Sequence, residues 1–112
     1  MHPLHLPRRS TLVFSATVAA MLVLSVPALA ADTRVTIKDF AFSPATVTVT
    51  RGTKVIFKNE DNTVHSVVAD DKSFHSPALD TGDEFTMTFD KIGAFPYHCG
   101  VHPTMQGRVV VK

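Results

Sequence analysis

The sequence predicts an all-β sandwich, on three observations. Apolar and polar residues alternate at a period of two from residue 33 onward, Val, Thr and Phe are plentiful there, and turn residues recur at short, fairly regular intervals. A period of two places one set of side chains on a buried face and the other in solvent. The chain has 112 residues, enough for one domain.

Taken in order, Val35 and Ile37 alternate with Thr36 and Lys38, and Val47 and Val49 with Thr46, Thr48 and Thr50. Val55 and Phe57 alternate with Lys54 and Lys58, and Phe85, Met87 and Phe89 with Thr86 and Thr88. Breaks fall at Ser43-Pro44, Arg51-Gly52, Glu60-Asp61-Asn62, Thr81-Gly82-Asp83 and Ile92-Gly93, all residue types that favour turns. Short strands between such breaks predict a largely antiparallel sandwich rather than strands alternating with helices. Residues 70–82 show no period and read as a surface loop with room for a short helical turn. Residues 63–68 read as a strand with His65 at its middle, and the three valines of 108–112 as a strand covered on both faces. Phe40, Phe42, Phe57, Phe85, Phe89 and Phe95 are expected in the core.

Residues 1–30 carry the three parts of a secretory signal peptide. Arg8 and Arg9 come first, an apolar run from Leu12 to Pro27 follows, and Ala28-Leu29-Ala30 supplies small residues for cleavage. The domain expected after cleavage behind Ala30 is 31–112. An uncleaved membrane anchor is the other reading, disfavoured by a short run that Ser15, Thr17 and Ser25 interrupt. The arginine pair also hints at twin-arginine export, on weak grounds. Loss of Arg8 and Arg9 turns the formal charge from +1 to about −1, which gives no reason to expect nucleic acid or an anionic membrane as partner.

A single cysteine, Cys99, excludes an internal disulfide and stands as a lone thiol in a compartment expected to be oxidising. Alone it would read as a small core residue, as Met105 would. Together, Cys99, His102 and Met105 place a thiolate, an imidazole and a thioether at steps of three, with Gly100 and Pro103 suited to a tight loop between strands. His65 supplies a further nitrogen; a satisfied core histidine is its other reading. His98 adjoins Cys99 but should face the opposite side of its strand, and His75 should be solvated.

Two imidazoles, one cysteine and a weak axial methionine form the donor set of electron-transfer copper. Zinc prefers four strong ligands. Haem would need a Cys-x-x-Cys-His attachment, and an iron–sulfur cluster several cysteines. The expected cofactor is one type 1 copper ion.

The whole of 31–112 resembles the cupredoxins, the blue-copper family of plastocyanin and azurin. The likeness runs from Phe42-Ser43-Pro44 through Val49–Asn59 and His65 to Gly93–Cys99 and Gly107–Val111. The short Cys-x-x-His-x-x-Met loop is most similar to that of amicyanin-type members. The resemblance implies a Greek-key β-sandwich, with His65, Cys99, His102 and Met105 as copper ligands. It further implies an electron carrier rather than an enzyme, expected as a monomer and, from the signal segment, in the periplasm. Its partners would be redox proteins docking near His102, Val101, Pro103 and Thr104, such as an amine dehydrogenase and a c-type cytochrome. A copper carrier or storage module without redox turnover is the alternative. One departure is Ser66, where many members have an asparagine that ties the ligand loops together.

Overall fold

Alternation becomes a sandwich because each strand has one apolar face to bury and only another sheet can cover it. The computed structural model describes residues 31–112. The expected signal peptide, 1–30, lies outside them. The strands are β1 (Thr33–Lys38), β2 (Ala41–Ser43), β3 (Thr46–Val49), β4 (Thr53–Asn59), β5 (Val68–Ala69), β6 (Glu84–Phe89), β7 (Gly93–His98) and β8 (Gln106–Val111). They form two four-stranded sheets, ordered β2-β1-β4-β6 and β3-β8-β7-β5.

Four pairings are antiparallel, as the turn spacing predicts, and two are parallel: β1 with β4 and β3 with β8. Both parallel pairs follow from the chain crossing between sheets, which returns a strand beside an earlier one in the same direction. The apolar sets meet between the sheets. Val35, Ile37, Val55 and Phe57 come from one, and Val47, Val49, Tyr97, Val109 and Val111 from the other, all buried. Each Val or Phe so buried contributes about 1.5–3 kcal/mol relative to exposure. Tyr97 is the hub: Phe42 and Phe57 meet its ring edge-on at 4.8 Å and 5.2 Å.

Several sequence expectations need correction. His65 is not mid-strand; it makes an isolated bridge with Leu79, and only Val68 and Ala69 pair as β5. The stretch 70–82 is irregular, as expected, but it is tied down by that bridge and by one between Val68 and His75 instead of a helical turn. In β8, Val109 and Val111 are buried while Val110 is only half-buried, so one face is covered. Of the six phenylalanines assigned to the core, Phe42, Phe57 and Phe89 are buried, and Phe85 and Phe95 pack against the core partly exposed. Phe40 is 52% exposed. It sits with Asp39 in a β1–β2 turn whose φ angles are +56° and +51°. Left-handed backbone costs an ordinary residue roughly 1–2 kcal/mol, so something else holds this turn.

Candidate metal centre

The β7–β8 hairpin brings three of the expected residues to one end of the sandwich. Tyr97 and Cys99 share a face of the emerging strand and both are buried. His98, between them, turns outward and pairs with Asp70 through Nδ1 at 2.7 Å, which agrees with its expected direction. The loop closes by two backbone bonds, from the Cys99 amide to the Met105 carbonyl at 3.0 Å and from the Met105 amide to the His102 carbonyl at 2.9 Å. Met105 is buried at the loop's end, and His102 is half-exposed between exposed Val101 and Pro103.

His65 arrives from the 60–67 loop, which Asn59 organises from the end of β4. The fully buried Asn59 side chain donates to the carbonyls of Thr63 (2.9 Å) and Leu79 (2.8 Å) and accepts from the Asp61 amide (2.9 Å). His65 and Leu79 exchange backbone bonds at 3.1 Å and 2.7 Å. The His65 ring is thereby fully buried beside Cys99.

The Cys99 sulfur lies 3.6 Å from His65 Nδ1 and 4.0 Å from His102 Nδ1. All three donor atoms fall within 4.8 Å of one another. Three donors about 2.0–2.3 Å from one ion in a plane stand roughly 3.5–4 Å apart, so the spacing fits a shared metal better than hydrogen bonds. His75 is exposed and takes no part.

Asp61 sets the chemistry of His65. Its Oδ2 is 2.8 Å from His65 Nε2. A carboxylate only accepts, so the proton resides on Nε2 and the Nδ1 lone pair is left to face Cys99. The same carboxylate accepts the amides of Asp39 (2.7 Å) and Phe40 (3.0 Å). The Phe40 amide, with help from His65 and the Asp39 amide, holds the Asp61 carboxyl below the usual carboxylate range despite an opposing desolvation. In the sequence Asp61 stands out only as a turn residue. A carboxylate four positions before a candidate ligand histidine was the available signal.

Ser66 does the tying expected of its asparagine counterpart. Its amide points at the Cys99 sulfur at 3.5 Å, and its hydroxyl oxygen accepts the Gly100 amide at 3.0 Å. Phe40, misplaced in the core by sequence, instead packs edge-on against His65 (5.4 Å, 87°) and His102 (5.1 Å, 89°).

Residues 12–111 match the family model of the cupredoxin-like domain. Amicyanin of Paracoccus denitrificans is 30% identical over 66 residues, covering 54% of this chain and half the length of that relative. A purple cupredoxin from Nitrosopumilus maritimus superposes with TM-score 0.69 at 29% identity, over 72% of this chain and all of that one. A copper-containing nitrite reductase from Thermus scotoductus SA-01 also superposes, with TM-score 0.69 and 29% identity, over 73% of this chain but 22% of the enzyme. The sandwich is thus of the cupredoxin type, and the chain belongs to the cupredoxin-like family, copper-binding proteins that generally transfer electrons.

Proposed function

We propose that this protein is a periplasmic type 1 copper carrier of single electrons, in which His65 Nδ1, Cys99 Sγ and His102 Nδ1 would be the strong ligands and Met105 the weak one. The observation that carries this reading is the convergence of two imidazole nitrogens and one thiol at 3.6 Å and 4.0 Å. Copper would supply one-electron exchange between Cu(II) and Cu(I).

The chain's own part is to hold the donors still and dry. Cys99 and His65 are fully buried, so water is kept from the sulfur and from one imidazole. Asp61 fixes the tautomer of His65. The Ser66 amide directs a donor at the sulfur and so ties the two ligand loops together. Two ligand loops bonded to each other and to the sandwich move little, and little movement is what fast electron transfer needs.

Half-exposed His102, ringed by exposed Val101, Pro103 and Thr104, offers a weakly polar docking patch for redox proteins. An amine dehydrogenase and a c-type cytochrome are the partners implied by the sequence resemblance. Transient redox complexes use small interfaces, so such a patch suffices. The matched part of this chain corresponds to 22% of the nitrite reductase, and the chain is read as a carrier, not an enzyme. The periplasmic assignment rests on the signal-like segment 1–30.

The test is visible and EPR spectroscopy of the copper-loaded protein. An intense thiolate-to-copper band is expected in the wild type and absent from Cys99→Ala. A pale Cu(II) protein whose Cys99 still reacts with a thiol reagent would remove the reading and favour a carrier or storage site.

A further inference from the structure

Phe40 is unfavourable twice over. It exposes half of a large apolar side chain, and it holds a positive φ of 56° that a phenylalanine rarely adopts. A residue kept in such a state is over-determined by its surroundings, and the surroundings here are the donor rings. The Phe40 ring meets both imidazoles edge-on, at 5.4 Å and 5.1 Å, while those two rings lie 5.2 Å apart. The three rings form a closed triangle.

The two histidines are not held alike. His65 is fully buried and anchored through Nε2 by Asp61. His102 is half-exposed, and among the described residues its ring has no hydrogen-bond partner beyond a 4.0 Å contact of Nδ1 with Cys99. Its packing partners are Phe40 and His65. Asp61 connects the two arrangements, because Oδ2 takes both the His65 ring proton and the Phe40 amide. One carboxylate oxygen thus fixes one ligand directly and clamps the residue that packs on the other.

We propose that Phe40, clamped in its left-handed turn by Asp61, is a positioning residue that fixes the ring of His102 toward the metal. This inference rests on the copper reading and deepens it. Phe40 touches no reacting atom; it acts by denying the His102 ring other rotamers.

The experiment compares wild type, Phe40→Gly and Phe40→Tyr in the copper-loaded, reduced protein. Glycine removes the ring and also relaxes the positive φ, so the turn keeps its backbone. Tyrosine keeps the ring. With carbon-labelled histidine, the His102 ring signals of Phe40→Gly should broaden at least about twofold through μs–ms exchange, while those of His65 stay sharp. Capture of released Cu(I) by a chelator should be roughly tenfold faster, the usual order for loss of a residue that orients a ligand. Phe40→Tyr should restore both. His102 signals equally sharp in Phe40→Gly and wild type would overturn the proposal. So would equal broadening of both histidines with a lower melting temperature, since Phe40 would then act through general stability. The copper reading fails on a separate signal, the missing blue band of the wild type, and would take this proposal with it.

Discussion

Ser66 and Gly100 meet across the mouth of the metal centre. The Gly100 amide donates to the Ser66 hydroxyl oxygen at 3.0 Å, and a Cβ on Gly100 would stand 2.7 Å from that same oxygen and 3.2 Å from Val68 Cγ2. The loop bearing the cysteine can therefore approach the loop bearing His65 this closely only without a side chain.

Gly100→Ala should accordingly destabilise the fold by about 1–3 kcal/mol through overpacking. Ser66→Ala alone should cost about 1 kcal/mol for the lost hydrogen bond. Combined, the two should cost less than their sum, because the second removes the oxygen that the first strikes. Denaturant titration of the four proteins measures the coupling; strict additivity would contradict the contact.

Asn59→Ala should be among the most damaging polar substitutions. It strands two carbonyls and one amide that the buried side chain now satisfies. A loss of about 2–4 kcal/mol is expected in urea unfolding. The His65 loop should loosen with it, seen as faster amide exchange at His65 and Leu79.

Asp61 should make stability sensitive to acid. Its carboxyl lies below the ordinary value in the folded state, so the unfolded chain takes up the proton first as pH falls. The stabilisation is complete above the unfolded value of 3.8 and is lost as pH drops through the lower folded value. Asp61→Asn should be less stable at neutral pH and should show a shallower decline in the acid limb of a melting-temperature profile. Parallel acid limbs would argue against the assignment.

Tyr97 carries the one buried side-chain polar atom without a partner among the described residues, its hydroxyl oxygen. Burial raises the hydroxyl's pKa far enough that it stays protonated, a donor lacking an acceptor. Tyr97→Phe should thus be neutral or stabilising by up to about 1 kcal/mol in thermal unfolding. Gly107→Ala should do the reverse, since its Cβ would overlap the Tyr97 ring carbon that bears this hydroxyl. Its expected result is little or no soluble folded protein.

Copper should stabilise the domain, because its proposed ligands come from distant parts of a small chain. At a hundredfold excess over the dissociation constant the gain is about 2.7 kcal/mol, visible as a higher melting temperature. Cys99→Ala should show little of that rise, and removing copper from the wild type with a chelator should reverse it.

The sandwich was legible because its strands alternate almost perfectly: Val35, Ile37, Val55 and Phe57 announce their buried face without help from the rest of the chain. The cluster of His65, Cys99 and His102 was legible because soft and imidazole donors rarely crowd into one short loop by chance. Asp61 and Phe40 escaped because their roles depend on a turn with no glycine or asparagine to mark it. A turn held open by a carboxylate some twenty positions away leaves no local trace. The parallel pairs β1–β4 and β3–β8 escaped for a related reason: partner choice is decided by how the sheets stack, which periodicity does not encode.

Thr46 pairs with Arg108, so β3 finds its neighbour only in a strand far along the chain from it. Until then β3 offers an open template to any passing strand, including that of a sister chain. Long-range pairing of this kind slows folding and lengthens the time for which that edge stays uncovered.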